Sequence, residues 1–154
     1  MKRILFICSG NMYRSPGAEF ILRKKLSDAG IGDWEVDSAG TLELGGAARP
    51  EDFGRILAEH GYEFGGTTKY VCSIEADKAN LILVMEPQHQ YVLRGLVSEE
   101  HWDRIQTFMS FCFNSRAILM DPSGFFNDDI YRETRDILET GCDKIVEKII
   151  AGVI

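Results

Sequence analysis

Four short apolar runs punctuate the chain, and longer segments of helical period lie between them. The first run, Ile4–Cys8 (ILFIC), is apolar throughout, the pattern of a strand covered on both faces. Trp34–Ala39, Asn80–Met85 (NLILVM) and Ala117–Met120 (AILM) read as second, third and fourth strands. A helix is predicted from Pro16 to about Ala29, with Pro16 suited to its first turn and Gly30 to its stop. Glu51–His60 sets Phe53, Ile56 and Leu57 on one helical face and meets Gly61 as its stop. Pro87–Arg94 is a further helix, and Ser98–Phe111 is amphipathic and helical in part. The last helix runs from Asp128 to about Ile150, with Ile130, Ile137, Leu138, Ile145 and Ile149 inward and Asp128 and Asp129 as its caps. Strands alternating with helices imply an α/β fold of three layers, a parallel sheet between two layers of helix. In such sheets ligands sit beyond the carboxyl ends of the strands. That rule points to Cys8–Ser15, Ser38–Gly46 and Asp121–Asp129.

A length of 154 residues suits one domain, residues 1–154, and 45% hydrophobic with 27% charged content is that of a globular chain. The net charge of −7, from 17 basic and 24 acidic residues, argues against nucleic acid and against an anionic membrane surface as partners. Ser9, Gly10 and Asn11 interrupt the N-terminal apolar run too early for a signal peptide, and no run approaches a membrane span, so a cytoplasmic location is expected. Cys8, Cys72, Cys112 and Cys142 include no Cys-x-x-Cys pair, and His60, His89 and His101 have no ligand spacing. Neither a metal site nor a disulfide framework is expected.

The chemistry lies in Cys8-Ser9-Gly10-Asn11-Met12-Tyr13-Arg14-Ser15. A cysteine and an arginine with five residues between them are a weak signal alone. Here a buried strand ends at the cysteine and a helix starts just after the arginine. Such a loop turns its N–H groups toward one point, where the helix N-terminus adds unpaired donors and partial positive charge. Gly10 and Asn11 tolerate the left-handed backbone that this nest needs. The surroundings favour a thiolate at Cys8, Arg14 can hold a phosphoryl group by two oxygens, and Ser15 can donate a hydrogen bond to the sulfur. A departing alkoxide or phenoxide needs a proton, and Asp121-Pro122, directly after the fourth apolar run, is the natural source.

This segment, extended through Ser15-Pro-Gly-Ala-Glu19, resembles the N-terminal signature of the low-molecular-weight protein tyrosine phosphatases. The likeness continues through Asp37-Ser-Ala-Gly-Thr41, Leu81-Ile-Leu-Val-Met-Glu86 and Asp121-Pro122, and so covers nearly the whole chain. The resemblance implies a four-stranded parallel sheet of phosphotyrosine phosphatase I type. It also implies phosphomonoester hydrolysis through a phosphocysteine on Cys8, on a phosphorylated protein and without cofactor or metal. Asp121 would be the general acid and then the base that activates water, and Asn11 and Ser38 would brace the phosphate loop. Ser9, Gly10, Asn11, Met12, Tyr13 and Ser15 would surround the substrate.

The sequence also departs from the family. Tyr13 stands where a second cysteine often precedes the loop arginine, so no disulfide can form within the loop. Ser123 and Gly124 intervene before Phe125 and Phe126, the aromatic wall expected on one side, and Leu44 replaces the aromatic residue often opposite. Gly65-Gly-Thr-Thr-Lys-Tyr70 stands for the usual Ser-x-His-x-Ala-Arg segment. Three rivals follow. A protein-arginine phosphatase resembles this chain closely but carries threonine where Met12 stands; an apolar Met12 favours an aryl ester. An arsenate reductase needs two further cysteines close in sequence, and Cys72 and Cys112 are 40 residues apart. A binding-only phosphate module has no use for both Cys8 and Asp121.

Overall fold

The structure, a computed structural model, describes all of residues 1–154. Four strands form one parallel sheet in the order β2-β1-β3-β4, where β1 is Lys2–Cys8, β2 Trp34–Gly40, β3 Leu81–Val84 and β4 Ile105–Thr107. The helices are α1 (Arg14–Asp28), α2 (Glu51–Ala58), α3 (Pro87–Arg94), α4 (Phe108–Phe113) and α5 (Asp128–Ile150). Register pairs Ile7 with both Ala39 and Val84, and Cys8 with Gly40, so β1, β2 and β3 end nearly level.

Alternate residues of β1 enter two separate cores. Ile4, Phe6 and Cys8 join residues of α1, α2, α4 and α5, whereas Leu5 and Ile7 pack with Val84, Leu93, Val97 and Ile105 on the α3 side. A strand buried on both faces cannot alternate in polarity, which is why β1 reads as an unbroken apolar run. In α5 the buried stripe is Tyr131, Thr134, Arg135, Leu138, Gly141, Cys142 and Ile145, a helical repeat that packs against α1. Ile130, Ile137 and Ile149 lie at its half-buried margins. Its cap is Asn127, whose side-chain oxygen accepts from the N–H groups of Asp129 and Ile130; Asp128 and Asp129 fall in the first turn instead.

The fourth strand is not Ala117–Met120. The sheet edge beside β3 belongs to Ile105–Thr107, inside the segment expected to be partly helical. Ala117–Met120 is irregular chain, with Leu119 buried and Ile118 and Met120 about half exposed. The apolar run misleads because only Leu119 has a core to enter. A three-residue edge strand with one buried side chain leaves almost no periodic signal to read.

Candidate active site

Cys8 closes β1 and Arg14 opens α1, so Ser9–Tyr13 must turn the chain within five residues. Asn11 makes the turn at φ +56°, a left-handed conformation that asparagine accepts more readily than most residues. The loop's carbonyls are held outward. Cys8 and Ser9 accept from the N–H groups of Thr41 (3.0 Å) and Leu42 (2.9 Å), and Asn11 accepts from Arg49 Nε (3.2 Å). A trans peptide points its N–H opposite to its carbonyl, so the N–H groups of Ser9, Gly10 and Met12 turn toward the concave side. Gly40 permits this close approach: a Cβ there would meet Ser9 O at 2.6 Å and Asn11 N at 3.0 Å. Helix α1 has no side-chain cap and no acidic residue in its first turn, which leaves its leading N–H groups to an anion.

Beneath the loop, one chain of hydrogen bonds links Glu19, Ser38, Asn11, Ser15 and Cys8. Ser38 Oγ donates to Glu19 Oε1 (2.5 Å), so it accepts from Asn11 Nδ2 (2.8 Å). The second Nδ2 proton goes to Ser15 Oγ (2.9 Å). The Ser15 hydroxyl can then donate to Cys8 Sγ at 2.9 Å, with the Ala39 carbonyl a more distant acceptor at 3.4 Å, and the Asn11 N–H reaches the same sulfur at 3.2 Å. Both contacts end on the one sulfur that opens into the pocket.

Arg14 is 1% exposed and fixed from behind. Its Nη1 donates to the Leu119 carbonyl (2.7 Å) and its Nη2 to Glu86 Oε2 (3.0 Å), which leaves the remaining N–H donors to the cradle. Asp121 stands at the mouth with Oδ2 at 3.8 Å from Arg14 Nη2, while its Oδ1 accepts from the Ser123 N–H. A buried histidine supports the other side. The Glu86 N–H donates to His89 Nδ1 (3.1 Å), so the ring proton sits on Nε2 and points to Ser9 Oγ (2.9 Å). Burial, together with the nearby Arg14 charge, holds His89 below the usual histidine range and so neutral.

The pocket above the loop has a volume of about 210 Å³ and is lined by Cys8, Ser9, Gly10, Met12, Tyr13, Arg14, Leu42, Leu44, Asp121 and Ser123. Cys8 and Arg14, from one loop, thus share a cavity with Asp121, which is distant from them in sequence. Asn11, Ser15 and Ser38 lie under its floor. Tyr13 stacks on Tyr131 (5.6 Å between centroids) and meets Phe53 edge-on, which ties the loop to α2 and α5. Leu44 forms a wall, close over Gly10. Phe125 and Phe126 do not line the pocket; they project from the rim at 52% and 81% exposure, neither folded over the opening nor buried beneath it. Ser123 and Leu42 hold wall positions that the sequence did not single out.

Sequence reasoning also missed Arg49, Glu86, His89 and the Leu119 carbonyl. Glu86-x-x-His89 at a helix start is a capping-box pattern, a readable signal; the backbone carbonyl had none. His60, with no partner by spacing, meets Glu139 and Asp136 across α2 and α5. There His60 Nδ1 is already bonded to Glu139 and Asp136 to Arg135, an exposed ion-pair cluster away from the pocket. Burial pushes the Cys112 thiol up to about 12, and Cys142 upward likewise, so neither competes as a nucleophile.

Comparison with known proteins bears on what this cradle is for. The protein-arginine-phosphatase of Geobacillus stearothermophilus is 31% identical over 96% of this chain and 95% of its own. A low molecular weight protein-tyrosine-phosphatase of Streptomyces coelicolor is 35% identical over 64% of this chain and 61% of its own. Among solved structures, the arginine phosphatase from Geobacillus stearothermophilus superposes with a TM-score of 0.86 at 30% identity, covering 99% of this chain and 95% of that one. A low molecular weight protein tyrosine phosphatase from T. tengcongensis gives 0.86 at 31%, covering 96% and 99%. The model of the low molecular weight phosphotyrosine protein phosphatases matches residues 3–152. That match spans nearly the whole chain, and the chain belongs to that family.

Proposed function

We propose that the pocket hydrolyses phosphate monoesters of protein side chains, phosphotyrosine first, through a covalent phosphocysteine. The Cys8 thiolate attacks phosphorus as the bond to the leaving oxygen breaks, and Asp121, protonated, gives that oxygen its proton. Water then attacks the phosphocysteine, the Asp121 carboxylate takes a proton from it, and the S–P bond breaks to return the thiolate and release phosphate. Arg14 and the inward N–H groups hold the equatorial oxygens throughout, where preorganised donors act most strongly. No step needs a metal.

The observation that carries this reading is the hydrogen-bond chain that delivers the Ser15 hydroxyl and the Asn11 N–H to Cys8 Sγ inside a cavity shared with Arg14 and Asp121. Met12, Tyr13, Leu42 and Leu44 supply apolar walls suited to a phenyl ring. A cytoplasmic setting suits a nucleophile that must stay reduced, and no helix is long and apolar enough to cross a membrane. Phosphoarginine is the second reading, favoured by the nearly full-length match to a protein-arginine-phosphatase. Side-by-side rates on phosphotyrosine, phosphoarginine and phosphoserine peptides decide between them. A faster phosphotyrosine rate supports the first reading, and a decisive preference for phosphoarginine replaces it.

A further inference from the structure

Arg49 lies in the stretch between β2 and α2, just before Pro50, and is 7% exposed. Its backbone is pinned: Ala48 bridges Thr67 in antiparallel fashion and the Arg49 N–H donates to the Gly66 carbonyl. The side chain runs inward beneath the phosphate loop. Its Nε donates to the Asn11 carbonyl (3.2 Å), its Nη2 to Asn11 Oδ1 (2.7 Å) and its Nη1 to the Gly65 carbonyl (2.9 Å). Gly66, at φ +78°, leaves room for it; a Cβ there would stand 3.3 Å from Nη1. These contacts fall at Gly65-Gly66, where the sequence departs from the family's pattern.

We propose that Arg49 is a positioning residue of the phosphate loop, gripping Asn11 at both its backbone carbonyl and its side-chain amide. The two grips do different things. Holding the carbonyl outward aims the Met12 N–H at the bound oxyanion. Holding Oδ1, together with the Lys69 N–H at 2.9 Å, turns Nδ2 toward Ser15 and Ser38 and so keeps the Ser15 proton for the sulfur. A fork of donors in one plane can do both; a point charge cannot. The charge has a place as well. Around it stand Glu19 and Arg23 of α1, Asp37 of β2 and the Cys8 sulfur, with Glu19 paired to Arg23 and Asp37 to Lys69. Arg14 and Asp121 line the pocket with Cys8, while Glu86 and neutral His89 stand behind, bonded to Arg14 Nη2 and to Ser9 Oγ. Arg49 thus adds a second guanidinium to the cradle, below the loop, where Arg14 serves above it.

This inference rests on the phosphatase reading, and two measurements separate them. Inorganic phosphate binding is measured by calorimetry in the Cys8→Ser protein with and without Arg49→Met, and kcat and KM for an aryl phosphate are measured in the Arg49→Met and Arg49→Lys enzymes. Arg49→Met is expected to weaken phosphate binding by about 10-fold and to lower kcat by about 100-fold, the loss that a small misplacement of donors brings. Arg49→Lys, which keeps the charge but not the fork, is expected to recover only part of each. If Arg49→Met does not fold, Arg49→Lys carries the test in the same direction. Wild-type kcat and phosphate affinity in a folded variant, with only a lowered melting temperature, would overturn the proposal. Phosphate binding that depends on Arg49 in a protein inactive on every phosphoester and on phosphoarginine would keep this placement and remove the catalytic reading.

Discussion

The floor and the rim of one pocket are built on opposite principles. On the floor, Asn11, Ser15, Ser38, Glu19 and Arg49 are all nearly inaccessible to solvent or partly so, and each donor has a named acceptor. At the rim, Leu42, Leu44, Phe125 and Phe126 are exposed, and glycines at 45, 46 and 124 take positive φ values between them. A buried polar network is costly unless every member is satisfied, so the floor tolerates few alternatives. Exposed loops carry no such constraint. On the proposed function, the chemistry rests on the buried, fully bonded floor, and substrate choice falls to the exposed rim.

Breaking the floor is expected to lower turnover on every substrate alike. The largest effect belongs to Cys8→Ser, which removes the thiolate: hydrolysis of an aryl phosphate falls below detection while phosphate binding persists. Wild-type turnover in that variant would end the phosphocysteine mechanism. Next is Asp121→Asn, with kcat lower by about 100- to 1,000-fold and the smallest loss for the best leaving groups, read from a series of aryl phosphates. An equal loss across the series would deny Asp121 its part in protonating the leaving oxygen. Gly40→Ala is expected to cost roughly 1–3 kcal/mol of stability and to cut turnover on all substrates together, because the new Cβ meets backbone atoms of the loop. Denaturant unfolding and steady-state rates check it.

Rim changes sharpen the comparison from the other side. Leu44→Ala is expected to leave the melting temperature nearly unchanged and to alter the ratio of aryl to alkyl phosphate rates by about 10-fold, as apolar contacts in a pocket do. An unchanged ratio would move specificity elsewhere. The smallest effect concerns pH. His89 is held neutral, below the histidine reference of 6.5, so the unfolded chain binds a proton at 6.5 that the native one refuses. Its contribution to stability is complete above that pH and is lost as pH falls through 6.5 toward the depressed native value. Melting temperature should therefore drop more steeply with acid in the wild type than in His89→Asn, and parallel curves would refute the assignment.

The parts of the fold that were legible share a cause. β1 is buried on both faces by its own sequence of apolar residues, α1 carries Pro16 and Gly30 at its ends, and Cys8 and Arg14 are joined by a loop too short to place them otherwise. Asp121 was found through the proline that follows it and the family resemblance, and also because Ala117–Met120 reads as a strand ending at it, a segment that the structure shows to be irregular chain. β4 was not legible: Ile-Gln-Thr has one buried side chain, and its strand character comes from the β3 edge waiting beside it. The apolar run at 117–120 imitated a strand although it contributes one buried side chain, that of Leu119, and the Leu119 carbonyl offered to Arg14.

The sequence by itself therefore determined the proposed nucleophile, the loop that cradles an anion and three of the four strands that present them, because those depend on neighbours in the chain and on runs of apolar residues. Tertiary structure decided which groups support them. Arg49 reaches Asn11 across 38 residues, Glu86 reaches Arg14 across 72, and His89 reaches Ser9 across 80. Partnerships over such spans follow from how helices and loops pack around the sheet, and no local pattern records them. The exposed rim was settled in the same way. Phe125 and Phe126 were aromatic by sequence, but it was the turn through Gly124 that set them outside the pocket.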